Sequence, residues 1–205
     1  MSRIITESDI EEAALEILAE LKYKILHGPD IAPDGLSPER QSYSEAVLLS
    51  RLTDAIDKLN PNIPQDAKEE AVKKLLRTSS PSLIENNQNF HRMLVNGVDI
   101  EYHRKDGSIA GDKVRLFDFD HPKENEFVAV NQFTVIESHN GSHETHRRPD
   151  IVLFVNGLPL VVIELKNPAD ENATIWSALS QFETYKKEIP SLFPFNEILI
   201  ISDGT

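Results

Sequence analysis

Three side chains in this sequence carry charge where charge is out of place. Glu164 and Lys166 stand at the end of an apolar run, LVVIEL followed by Lys. Asp150 opens the preceding run, behind Arg147, Arg148 and Pro149. Burying an unpaired charge costs on the order of several kcal/mol, so each needs a partner or a task. Two carboxylates at close range bind a hard divalent cation through oxygen, with water completing the shell. Such a cation stabilises charge on a scissile phosphate and makes hydroxide accessible near neutral pH. A nearby lysine orients or deprotonates the attacking water and stabilises the pentacovalent state. Asp with Glu-x-Lys is thus a sufficient kit for metal-dependent phosphodiester hydrolysis. The same residues would also serve as a salt-bridged strand end, with Asp150 capping a turn.

Whether they meet depends on the elements that carry them. Residues 147–168, RRPDIVLFVNGLPLVVIELKNP, hold two apolar runs around Asn156-Gly157 and read as a hairpin. Positions i and i+2 of a strand share a face, so Glu164 and Lys166 point the same way. A two-residue Asn-Gly loop pairs Val155 with Leu158 and Asp150 with Ile163, which turns Glu164 away from Asp150. A three-residue loop with Gly157 left-handed pairs Phe154 with Leu158 and Asp150 with Val162. All three charges then share a face. A working site therefore predicts the three-residue loop with a glycine bulge, or an equivalent bulge, in place of the simple type I′ turn.

The rest of the chain reads as α/β, a mixed sheet flanked by helices with a helical insertion. Residues 6–26 form an amphipathic helix with Thr6 or Ser8 as cap and acids crowding its first turn. A turn-rich stretch follows. Further helices are predicted at 44–59, 64–77 and 82–95. The period then changes to β-rich segments, VDIEYHR, KVRLFDF and EFVAVNQFTVI. After the hairpin come a helix at about 174–188 and a buried-looking strand in NEILIISDGT. The insertion is placed at 36–95 and the main core at 113–205. A core strand at the very end suggests a fragment of a longer protein.

Composition narrows the function classes. Lys and Arg number 21 against 34 Asp and Glu, a formal net charge of −13. That balance argues against free-standing tight nucleic-acid binding through phosphate contacts. It leaves room for an enzyme that bridges phosphates with metal ions or borrows its grip from partners. The absence of cysteine excludes disulfides and thiolate metal sites and fits a reducing compartment. No apolar run approaches membrane-spanning length and MSRIITESD has no secretory pattern, so the expected location is cytoplasmic, with no membrane partner. His139, His143 and His146 lie in SHNGSHETHRR. A zinc reading fails there: HETH is one residue short of H-E-x-x-H, and Gly-Ser indicates a loop rather than a helix. Trp176 reads as core packing, and Lys186 and Lys187 as favourable charges at a helix C-terminus. Arg147 and Arg148 suit either a phosphate contact or a strand-end charge pair. No G-x-x-x-x-G-K-[ST] occurs, so the chain has no ATP site of its own.

The motif Pro149-Asp150, thirteen residues, then Glu164-Leu165-Lys166 resembles the PD-(D/E)XK nuclease superfamily. Gln181 and Tyr185, four apart on the following helix, look like the Q-x-x-x-Y element of its RecB-like branch. TESDIEEAALEILAELKY, EFVAVNQFTV, the hairpin and ILIISDGT are together similar to the N-terminal region of the R (restriction) subunit of type I restriction–modification enzymes. The resemblance implies a restriction-endonuclease-like fold over 1–205. It implies Asp150 and Glu164 as metal ligands with the Leu165 carbonyl, Lys166 as catalytic lysine, and Gln181 and Tyr185 as accessory, DNA-positioning residues. A first-helix acid often joins the metal shell in such proteins; Glu11, Glu12 or Glu16 could serve, and spacing does not choose. The implied activity is Mg2+-dependent cleavage of double-stranded DNA, with Mn2+ as substitute. It would be coupled to ATP-driven translocation by C-terminal motor domains, in a complex with modification (methyltransferase) and specificity subunits. A stand-alone RecB-like or junction-resolving nuclease, and an inactive docking module of the same fold, are the alternatives.

Overall fold

The computed structural model describes residues 6–104, 106–139, 143–167 and 175–202. A five-stranded mixed sheet forms its centre. The strands are β1 (Lys24–His27), β4 (Phe127–Asn131), β7 (Ile151–Val155), β8 (Leu158–Leu165) and β9 (Ile198–Ser202), in the order β1-β4-β7-β8-β9. The outer pairs, β1 with β4 and β8 with β9, are parallel, and the inner pairs are antiparallel. Two separate hairpins, β2–β3 (Val98–His103, Ile109–Val114) and β5–β6 (Val135–His139, His143–Arg147), complete the strands.

Helices cover both faces of the sheet. On one face Ile10 and Leu18 of α1 (Glu7–Glu20) bury against Ile151, Leu153, Ile163 and Leu165. On the other, Phe182, Tyr185 and Ile189 at and beyond α5 (Ile175–Glu188) bury against Val152, Phe154 and Val162. This alternation of faces is why β7 and β8 read as unbroken apolar runs. A second core joins α2 (Leu49–Leu59), α3 (Gln65–Leu76) and α4 (Leu83–Asn96) to the β2–β3 hairpin, and takes in Leu158. It sits at the turn end of β7–β8, where the Leu48 N–H donates to the Gly157 carbonyl at 2.9 Å.

Several sequence expectations are corrected. The first helix stops at Glu20 instead of 26; Lys22 takes φ 73 and residues 24–27 become an edge strand. Pairing with β4 outweighs helix propensity there. Helix α2 starts at Leu49 instead of 44, because residues 43–48 are turn and irregular backbone and the Leu48 N–H is taken by the Gly157 carbonyl. The strand expected in KVRLFDF occupies 109–114 instead, since Arg115 turns off to bond Asn60 and the Leu59 carbonyl. EFVAVNQFTVI is two strands, broken at Gln132 with φ 56. His139 and His143 lie on the paired strands of a hairpin, not on a loop. Strand β9 is an exposed edge, with Ile198 54% accessible, so its apolar composition does not make it a buried strand. Trp176 is 75% exposed and packs no core. The first turn of α1 is as expected: Thr6 caps it and forms a reciprocal capping box with Asp9. The start of the expected last helix at 174 and the final 203–205 lie outside the described residues.

Candidate active site

The loop joining β7 to β8 is the two-residue Asn156-Gly157, both at positive φ (51 and 80), as a type I′ turn requires. Of the two expected arrangements, the three-residue loop does not form and a bulge within the strand does. Val155 pairs with Leu158 and Phe154 with Pro159, but Leu153 pairs with Val161. Leu160 is the extra residue of a β-bulge. The bulge does what the longer loop was expected to do. It shifts the register by one, so Ile151 faces Ile163, and continuing the register sets Asp150 opposite Glu164.

Proline at 159 is the signal that could have placed the bulge. It has no N–H to donate to the ladder, and inside sheets proline is confined to edges, strand starts and bulges. The bulged backbone is held from the side: the Asn196 amide donates to the Pro159 carbonyl at 2.6 Å, and the Glu197 N–H to the Leu160 carbonyl at 2.8 Å.

At the open end of the hairpin the predicted residues converge. The Leu165 N–H donates to Asp150 Oδ2 at 2.7 Å, and Lys166 Nζ lies 3.2 Å from Glu164 Oε1. Glu164 is 1% exposed. Gln181, from α5, donates through Nε2 to both Glu164 Oε1 and the Tyr185 hydroxyl. Gln181 and Tyr185 therefore meet on one helix face beside the acid, as their spacing of four requires. Glu7, at the start of α1, stands 3.8 Å from Lys166 Nζ.

Burial pushes the Glu164 carboxyl up to about 7, with the charge of Asp150 acting the same way and Lys166 opposing. Asp150 is also raised, by burial first. Burial and the Glu164 charge raise the Tyr185 hydroxyl, so it stays a neutral donor and acceptor. Two acids are thus held together at a cost that a cation would relieve.

The donor chemistry fits a hard cation. Glu164 Oε2 is buried with no hydrogen-bond partner, an uncommon state for a buried carboxylate oxygen. Among the described residues no group of three Asp, Glu or His side chains gathers to hold a metal. The available set is two carboxylates and backbone oxygen, with water to complete it. Of the first-helix acids, Glu11 has both oxygens taken by Asn131 Nδ2 and Gln132 Nε2 at 2.7 Å each, and Glu12 and Glu16 point to solvent. Arg147 pairs with Glu188 of α5, whereas Arg148 is exposed. Sequence reasoning did not single out Glu7, which only its contact with Lys166 distinguishes from other helix acids.

A family model for the type I restriction enzyme R protein N terminus matches residues 4–205. The chain belongs to that family. It is 42% identical over 201 residues to the type I restriction enzyme HindI endonuclease subunit of Haemophilus influenzae, covering 98% of this chain and 19% of that protein. It is 34% identical over 195 residues to the putative type I restriction enzyme MjaIXP endonuclease subunit of Methanocaldococcus jannaschii, covering 95% of this chain and 18% of that one. The chain thus spans about a fifth of the length of these relatives. Family membership and the mixed five-stranded sheet agree with a restriction-endonuclease-like fold. Among the described residues no helix is long and apolar enough to cross a membrane.

Proposed function

We propose that this chain is the DNA-cleaving domain of a type I restriction R subunit and hydrolyses phosphodiester bonds of double-stranded DNA with Mg2+. The observation that carries the reading is the bulged register, which sets Asp150 opposite Glu164 with Lys166 on the same face. Asp150, Glu164 and the Leu165 carbonyl would hold the cation. When bound, the cation supplies charge stabilisation at the scissile phosphate and a nucleophilic hydroxide near neutral pH.

The chain's own residues do the rest. Lys166 orients the attacking water and places a positive charge beside the phosphate. Gln181 fixes Glu164 Oε1, which leaves the orphaned Oε2 as the ligand oxygen. Arg148, exposed two residues before Asp150, contacts a backbone phosphate, while Arg147 is occupied by Glu188. In the full-length protein, ATP-driven translocation by a downstream motor would feed DNA to this site. Methyltransferase and specificity subunits would supply sequence recognition, in the cytoplasm. An acidic domain suits that division of labour, because partners then provide most of the DNA affinity.

The test is plasmid cleavage by the full-length protein with its partner subunits, ATP and Mg2+. Asp150→Asn, Glu164→Gln and Lys166→Ala should each lower cleavage by about a hundredfold or more, while ATP hydrolysis and DNA binding persist. Cleavage that survives all three substitutions would move the chemistry elsewhere.

A further inference from the structure

Glu11 is engaged in a way that neither a solvated helix face nor a metal ligand explains. Its carboxylate accepts one carboxamide from Asn131 and one from Gln132, each at 2.7 Å. These are the last residue of β4 and the residue that breaks the strand. Gln132 takes φ 56, a left-handed conformation that costs a non-glycine residue on the order of 1–2 kcal/mol. In that conformation its N–H donates to the Asp150 carbonyl at 3.0 Å. Gly28 closes the other side. Its N–H donates to the Asn131 carbonyl at 2.8 Å, and a Cβ there would lie 2.4 Å from the Gln132 carbonyl oxygen. The backbone of Gln132 is thus held between α1 and the end of β1, with Asp150 hanging from it.

We propose that Glu11 is a positioning residue that fixes Asp150 through the left-handed backbone of Gln132. The relay runs from the Glu11 carboxylate to the Gln132 carboxamide, through the Gln132 N–H to the Asp150 carbonyl. The Asp150 carboxylate then meets the Leu165 N–H across the hairpin. It explains why an acid one turn into α1 is half-buried over a strand end while Glu12 and Glu16 face water. A strand-end aspartate outside the regular ladder has few other constraints. A carboxylate that must meet a cation within a few tenths of an ångström needs such support. The catalytic part of this inference rests on the nuclease reading above; the structural part does not.

The experiment uses the full-length protein and compares wild type, Glu11→Ala, Gln132→Gly and the double variant. Glycine adopts positive φ without strain, so Gln132→Gly keeps the backbone shape without its side-chain anchor. Two readouts are taken. One is hydrogen exchange in peptides spanning 128–134 and 162–166, with a peptide across the hairpin turn as control. The other is the affinity for Mn2+ alone. Glu11→Ala should speed exchange in both site peptides, leave the control unchanged, and weaken Mn2+ binding about tenfold or more. Adding Gln132→Gly should restore affinity to within about threefold of wild type, because the backbone no longer needs its anchor. Loss of Mn2+ binding with no rescue and unaltered exchange would make Glu11 a direct ligand and overturn the proposal. Unchanged exchange together with unchanged affinity in Glu11→Ala would overturn it too. A wild-type protein that binds no Mn2+ and cuts no DNA removes the nuclease reading instead, and the exchange results alone then decide the relay.

Discussion

The two ends of the β7–β8 hairpin bury polar groups on opposite terms. At the turn end Asn156 is 2% exposed and fully engaged. Its amide donates to the Leu116 carbonyl at 3.0 Å and to Asn125 Oδ1 at 2.9 Å, and its oxygen accepts from the Glu126 N–H at 2.8 Å. At the open end Glu164 is as deeply buried, carries a charge above about pH 7, and leaves one oxygen without a partner. The first end is a joint that ties the segment between β3 and β4, and through Gly157 the residue before α2, to the sheet. The second holds unspent binding capacity. A buried carboxylate oxygen without a partner is the exception in a folded protein.

Five substitutions would break or sharpen that contrast. Gly157→Ala should have the largest effect, a loss of about 3 kcal/mol or more in urea denaturation. A Cβ would meet the Leu48 carbonyl oxygen at 2.5 Å and the Leu52 nitrogen at 2.7 Å, and φ is +80; overpacking and left-handed strain add there. A mild effect would mean that the helical layer is not locked to the turn.

Glu164→Gln should act in the reverse direction and depend on pH. The folded-state value is raised to about 7 from an ordinary 4.5. The acid therefore favours folding fully below pH 4.5, and that contribution is lost as pH rises through 7. In metal-free buffer the variant should match wild type near pH 4 and exceed it by up to about 3 kcal/mol at pH 8. Added Mg2+ should close the gap by stabilising wild type alone. A constant difference across pH would refute the titration.

Asn156→Gly keeps the positive φ and removes the amide, so it isolates the hydrogen bonds of the joint. It should cost about 2 kcal/mol by thermal unfolding, with no dependence on Mg2+. Arg147→Ala breaks a half-exposed pair with Glu188 and should change stability by only about 0.5 kcal/mol. Arg148→Ala, compared beside it, should lower DNA binding more than stability, since its side chain is exposed.

Much of the site was legible in the residues because its chemistry is local in sequence. Glu164 and Lys166 share a face by the period of a strand, and Gln181 and Tyr185 by the period of a helix. The Thr6–Asp9 capping box and the apolar runs of β7 and β8 are likewise written in short windows. The position of Asp150 was not legible in that way. A strand alternates with period two, so one inserted residue reverses every side chain beyond it. Spacing requires one extra residue in the hairpin, as a longer loop or a bulge, and does not say which or where. Pro159 carried the missing information, but its meaning depends on the partners at Phe154 and Asn196.

Residue type and spacing alone fixed the inventory: a mixed α/β chain, two acids and a lysine around one hairpin, and a Gln and a Tyr four apart on the next helix. Tertiary structure decided the parity of the register, the exposure of β9 and Trp176, and the choice of Glu11 to hold the strand end while Glu7 faces Lys166. The reason is range. Propensity and periodicity act over a few residues, whereas a bulge, an edge or a clasp is set by whatever the rest of the chain packs against it.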